Sequence, residues 1–222
     1  MIKNTFLALS FSLVAPSYGI VYSSHKLNIS EFDDNCNIFS ISQTRPKDDS
    51  FYVNANFFDE SGDPLRGLIV NSDIVSEVTR TGGVFYIDKN GCANVDSIDP
   101  FHDETIYLAQ SVLGGVHNGI PDETIMNSQH GRRSNYRTLV GQREDGSIVI
   151  ITPSLFGLTT AQEILELSVE QGVYEGVLFD GGSSVDVRTS KHRRFRSVPN
   201  YIKSRLNIDE PPSYIVVIPE TI

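Results

Sequence analysis

The chain has 222 residues, of which 39% are hydrophobic, and no low-complexity tract, so it is long enough to bury the core of one domain and too apolar to stay disordered. Its formal charge of −10 excludes the basic footprint of a nucleic-acid binder. Beyond the first residues, no stretch approaches the roughly 20 apolar residues of a membrane-spanning helix, so the chain is not read as membrane-embedded.

At the N-terminus, Lys3 precedes an apolar run from Phe6 to Ala15, and Ser17-Tyr18-Gly19 supplies the small residues read by a signal peptidase. This predicts a signal peptide over 1–19, cleavage near Gly19-Ile20, and one domain over 20–222 that is secreted or periplasmic. A buried N-terminal helix or strand would use the same letters. In an oxidising compartment the two cysteines, Cys36 and Cys92, are able to pair.

From Ile20 to Ile41 apolar and polar residues alternate, as in strands, and Thr44 to Ser50 reads as a loop. Phe51-Tyr52-Val53 leads into Asn54-Ala55-Asn56-Phe57-Phe58. Two asparagines in an aromatic run point to side chains used for hydrogen bonding, or to an Asx-stabilised turn at a strand end. Strands are expected at Leu68-Ile69-Val70, at Val84 to Ile87 before a hairpin turn at Asp88 to Gly91, and at Ile106 to Ala109 before Gln110-Ser111. Residues 117–135 are polar and irregular and read as a surface loop. Arg137-Thr138-Leu139-Val140-Gly141 and Ser147 to Thr152 form a hairpin, with Arg137 at its entrance either as a solvated charge or as a planar clamp for a phosphate or carboxylate.

One helix is well defined, at about 160–171. Thr160 and Glu163 make a capping box, Ala161, Ile164, Leu165 and Leu167 with Ser168 make an apolar stripe, and Gly172 follows its end. It feeds Val177-Leu178-Phe179, a short run suited to a fully buried strand, and Asp180 stands where the chain leaves it. The next residues, Gly181-Gly182-Ser183-Ser184, allow close backbone approach around a small ligand, although an ordinary Asp-Gly turn has the same spelling. Between Arg188 and Arg205 there are seven Lys and Arg residues and no acid, a local positive region in an acidic chain. The whole reads as an α+β fold, a strand-rich mixed-sheet core with few helices.

Six motifs in this order resemble the phosphodiester glycosidase family, which includes the uncovering enzyme that removes N-acetylglucosamine from its phosphodiester link to mannose 6-phosphate. They are Asn54 to Asp59, Gln110-Ser111, Arg137-Thr138 with Gly141, the helix from Thr159 to Gly172, Asp180 to Ser184, and Arg196-Ser197-Val198-Pro199-Asn200. Two departures stand out: two glycines rather than three follow the acid, and Ala55-Asn56 replaces the usual glycines.

The resemblance implies a hydrolase that cleaves a sugar from a glycosyl-1-phosphodiester without a cofactor or metal. Asp180 would act as nucleophile or base, Arg137 would hold the departing phosphate, and Asn54 would position sugar or water. Substrate contacts would come from Gly181, Gly182, Ser183, Ser184, Thr138, Asn56, Phe57, Gln110, Ser111 and Arg196. The partner would be a glycosyl phosphodiester or a cell-envelope polysaccharide. Two other classes fit some of the same letters: a secreted carbohydrate-binding or exopolysaccharide-associated protein without turnover, and a phosphodiesterase whose cation sits on Asp59, Asp180 and Asp186. The five histidines, His25, His102, His117, His130 and His192, lack metal-ligand spacing.

Overall fold

The structure, a computed structural model, describes residues 18–23, 26–33, 35–47, 50–59, 61–102, 104–154, 157–190, 193–197 and 213–218. The expected signal segment lies outside these residues except for Tyr18 and Gly19, which open the first strand.

The described residues form three antiparallel sheets and three α-helices. The largest sheet has seven strands: β1 (Tyr18–Ser23), β2 (Leu27–Phe32), β13 (Ile148–Pro153), β12 (Thr138–Gln142), β14 (Glu175–Phe179), β10 (Gly115–His117) and β11 (Ile120–Pro121), in that spatial order. A second sheet runs β16 (Arg193–Arg196), β15 (Asp186–Ser190), β4 (Phe51–Asn54), β17 (Tyr214–Val217) and β3 (Phe39–Ser42). The third runs β6 (Asp73–Ser76), β5 (Leu68–Val70), β9 (Thr105–Gln110), β7 (Val84–Asp88) and β8 (Ala93–Asp96). The expected strand-rich α+β class is what the chain adopts, with every described pairing antiparallel.

Burial on both faces explains the continuous apolar run at β14. Val177 and Phe179 point into the main core, where they join Phe32, Val140 and Ile150 of their own sheet with Phe51 and Val53 of the second and Leu68 and Phe85 of the third. Leu178 points the other way, into a second core with Leu139, Ile151 and the underside of α3 (Ala161–Glu170). The period-two alternation of a strand thus serves two hydrophobic layers at once.

Helix α3 has the expected limits and caps. The Thr160 side chain accepts from the Glu163 amide at 3.1 Å, the Glu163 carboxylate accepts from the Thr160 amide at 2.8 Å, and Gly172 follows with a positive φ of 79°. Residues 117–135 depart from expectation. They hold the end of β10, β11 and two short helices, α1 (Glu123–Asn127) and α2 (Gln129–Arg132). Asp122 and Ser128 cap these two. Helices of five and four residues are too short to show an apolar period, so a reading by periodicity passes over them.

Cys36 and Cys92 are joined in a disulfide that ties the segment before β3 to the turn between β7 and β8. In the chain-entropy model, a bridge of this sequence separation stabilises by about 4 kcal/mol.

Candidate active site

The site is built at the ends of two neighbouring strands. In the β12–β14 ladder Thr138 faces Phe179, so one step further out Arg137 faces Asp180 across the sheet. Because Phe179 points into the main core, Arg137 and Asp180 both point to the side that carries α3. Residues 43 positions apart in sequence thereby share one hollow of about 50 Å³, lined also by Phe57, Gly181 and Gly182. That volume suits a few water molecules or a phosphoryl-sized group and is far below the several hundred cubic ångströms that enclose a sugar.

Asp180 is 7% exposed. Its amide donates to the Ala55 carbonyl at 3.1 Å and its carbonyl accepts from Asn54 Nδ2 at 3.0 Å, so the main chain beneath the carboxylate is held from both sides by the end of β4. Arg137, 5% exposed, is gripped by three main-chain carbonyls: Nε donates to Thr159 O at 3.1 Å, and Nη2 donates to His130 O at 2.7 Å and Arg133 O at 2.9 Å. Among the described residues Nη1 has no protein acceptor and the guanidinium has no carboxylate partner. Burial lowers the Arg137 pKa below its ordinary value, yet arginine stays charged in proteins. A nearly buried cation without a counter-ion is costly, and an incoming anion is the natural compensation.

The two glycines have separate reasons. A Cβ at Gly181 would overlap the Tyr136 carbonyl oxygen, whereas Gly182 takes a positive φ of 62° and donates its amide to that same oxygen at 2.8 Å. Gly182–Ser184 then form a 3-10 turn. The Ser183 side chain is outside the described residues, and Ser184 is not among those lining the hollow.

Several residues expected at the substrate are used elsewhere. Asn56 donates to Gly67 O and Gln110 O, both at 3.0 Å, and accepts from Ser213 Oγ at 2.7 Å. Gln110 accepts from the amides of Gly67 and Thr79 and donates to the carbonyls of Thr79 and Thr81. Ser111 donates to the Leu178 carbonyl and accepts from the Leu113 amide. Asn54 bonds only to main chain, to Asp180 O and from Asp186 N. All four are fully buried or nearly so and none lines the hollow. Primary amides and hydroxyls replace ladder partners where strands end, and the sequence motif does not distinguish that use from sugar binding. Thr138 is buried on the opposite face, pointing away from Asp180.

The basic run is also redirected. Asp186, 0% exposed, accepts from Arg45 Nε at 2.6 Å, Arg196 Nε at 3.1 Å, Arg194 Nη2 at 3.3 Å and the Tyr52 hydroxyl at 3.3 Å. Arg196 is therefore an ion-pair partner in the second sheet rather than a lining residue of the hollow. Lys191, His192, Lys203, Arg205 and Val198-Pro199-Asn200 lie outside the described residues. The cation arrangement considered for Asp59, Asp180 and Asp186 does not form: arginines take up Asp186, and Asp59 accepts from the amides of Ser61 and Asp63 in its own turn. Among the described residues no three His, Cys, Asp or Glu side chains gather as a metal site.

Two lining residues carried no sequence signal. His130, on α2, reaches the mouth of the hollow, and burial, then the charges of Arg137 and Arg133, pull its pKa below the ordinary value. Its ring is therefore neutral at neutral pH. Asn135 turns its Oδ1 to the Tyr136 amide at 3.0 Å and its Nδ2 toward Gly182.

A family model described as phosphodiester glycosidase matches residues 48–203. Among solved structures, the zebrafish N-acetylglucosamine-1-phosphodiester alpha-N-acetylglucosaminidase catalytic domain, auto-inhibited by its pro-peptide, aligns with a TM-score of 0.64 at 16% identity, over 88% of this chain and 77% of that one. A hypothetical protein from Synechocystis aligns with 0.59 at 9% identity, over 86% and 59%, and a protein from Burkholderia pseudomallei with 0.55 at 11%, over 87% and 74%. No curated protein matches the chain. At these identities the three structures share a fold with this chain.

Proposed function

Because this chain belongs to the phosphodiester glycosidase family, we propose that it hydrolyses the bond between a sugar's anomeric carbon and a phosphodiester oxygen, with an N-acetylglucosamine-1-phosphodiester-like compound as substrate. The observation that carries this reading is the shared hollow: one buried carboxylate, Asp180, beside one buried guanidinium, Arg137, that has no counter-ion among the described residues.

Cleavage at the anomeric carbon builds an oxocarbenium-like centre while negative charge collects on the departing phosphate. An ordinary glycosidase needs a second carboxyl group to protonate an alcohol leaving group. A phosphate is far less basic, so a fixed cation serves instead, which suits a hollow where Asp180 is the one carboxylate among the described lining residues. The phosphoryl group occupies the hollow against Arg137 Nη1, and the sugar lies outside it, with its anomeric carbon toward Asp180. Asp180 supplies either the nucleophile or the base that activates water. The disulfide and the absence, among the described residues, of a helix long and apolar enough to cross a membrane support a secreted or periplasmic setting for this activity.

The test is incubation of the protein with a panel of sugar-1-phosphodiesters in ¹⁸O-labelled water, with products identified by mass spectrometry. Label in the free sugar and none in the phosphomonoester is expected. Label in the phosphate would replace the glycosidase reading by a phosphodiesterase. Saturable binding without product would favour the secreted carbohydrate-binding alternative.

A further inference from the structure

The loop that carries the reactive carboxylate begins at Asp180 and ends at Asp186, and one side chain holds both ends. Asn54 Nδ2 donates to the Asp180 carbonyl at 3.0 Å, and Asn54 Oδ1 accepts from the Asp186 amide at 3.0 Å. We propose that Asn54 is a positioning residue that staples the 180–186 loop shut and thereby aims the Asp180 carboxylate, without touching substrate. This rests on the reading of Asp180 as the reactive group.

Three features support it. Asn54 is fully buried and does not line the hollow, so its amide is not offered to a ligand. Its two bonds demand a donor and an acceptor in one planar group, which an amide provides and a carboxylate does not. Both anchor points are rigid. The Asp180 amide is bound to Ala55 O, next to Asn54 in the chain, and the Asp186 carboxylate is bound by Arg45, Arg194, Arg196 and Tyr52. Between the anchors lie Gly181 and Gly182, the residues with most backbone freedom, so without the staple the loop is the part of the site most able to drift. Displacements of about an ångström at a reacting group cost large factors in rate.

The test is Asn54→Asp. Its carboxylate still accepts from the Asp186 amide but faces the Asp180 carbonyl as a second acceptor. Protonation at low pH restores an O–H donor. The charged and titratable groups around position 54 are Asp180, the Asp186 cluster with its three arginines and Tyr52, and Tyr214, which faces Asn54 from β17. The expected result at neutral pH is a kcat at least about tenfold lower, the kinetic equivalent of one lost buried hydrogen bond, with the Kd of a non-hydrolysable sugar-1-phosphonate changed less than about twofold. Relative to wild type, kcat recovers as pH is lowered. Hydrogen-exchange protection of the Gly182 amide should fall at neutral pH and recover at acidic pH in the same variant, a readout that holds even if no glycosyl phosphodiester is turned over. Asn54→Ser, which keeps one of the two bonds at most, should show lower protection at all pH values. Unchanged protection in both variants would overturn the staple, and a Kd rising in step with the loss of kcat would return Asn54 to direct substrate contact.

Discussion

Arg137 is the residue whose surroundings ask most for an explanation, since three main-chain carbonyls fix its Nε and Nη2, no described residue accepts from its Nη1, and it lines the hollow it shares with Asp180. If that free edge holds a phosphoryl group, Arg137→Ala lowers kcat/KM for a sugar-1-phosphodiester much more than for a neutral aryl glycoside of the same sugar. Equal losses on both would argue against the phosphate contact. Asp180→Asn keeps the main-chain bonds to Ala55 and Asn54, so the protein should fold, with an unchanged circular dichroism spectrum. Turnover should drop by at least about a hundredfold, the lower range for acid–base groups. Near wild-type turnover would show that another group attacks.

Among the elements, α3 matters because its apolar stripe covers the face of the seven-stranded sheet at whose rim the hollow opens. Its N-terminal cap belongs to the same corner: Thr159 O accepts from Arg137, and the next residue, Thr160, caps the helix. Thr160→Ala removes one side of the capping box and should destabilise by about 1 kcal/mol, read as a lower urea midpoint at unchanged m-value. A midpoint within error of wild type would mean that tertiary packing alone holds the helix start. Glu163, the other half of the box, has a pKa held below its ordinary value, first by its bond from the Thr160 amide and then by Lys26. That contribution is present at neutral pH and lost as pH falls through the depressed value.

Over the whole molecule, the three sheets meet at one core, and polar clusters lock their edges. One of these gathers around the buried Asp186, and Tyr52 reports on it. Burial, then the Asp186 charge, pushes the Tyr52 pKa from 10.0 to about 12. The folded state binds this proton more tightly than the unfolded state, so the contribution is intact below pH 10 and is lost as pH rises through 10 toward 12. Denaturant melts of wild type should lose stability over that window. Tyr52→Phe should show a shallower loss between pH 10 and 12, and an identical slope would remove Tyr52 as the cause.

The sequence by itself determined the apolar strands such as β4, β7, β9, β12, β13 and β14, the α3 helix with both caps, the Asp180 strand end, the glycine turn and the cysteines, because periodicity, capping and turn chemistry are local properties; the short or polar strands β6, β8, β11, β15 and β16 carry no such pattern. It also brought Asp180 and Arg137 forward as a pair. What only the tertiary structure decided is which polar groups face the hollow and which hold the chain. Asn56, Gln110 and Ser111 bond to main chain, Asn54 ties the two ends of one loop, Arg196 belongs to Asp186, and His130 and Asn135 line the site without a motif to announce them. The physical reason is register: the partner of a buried amide or guanidinium is set by how strands from distant parts of the chain align, and an amide that binds a sugar is spelled like one that closes a strand end.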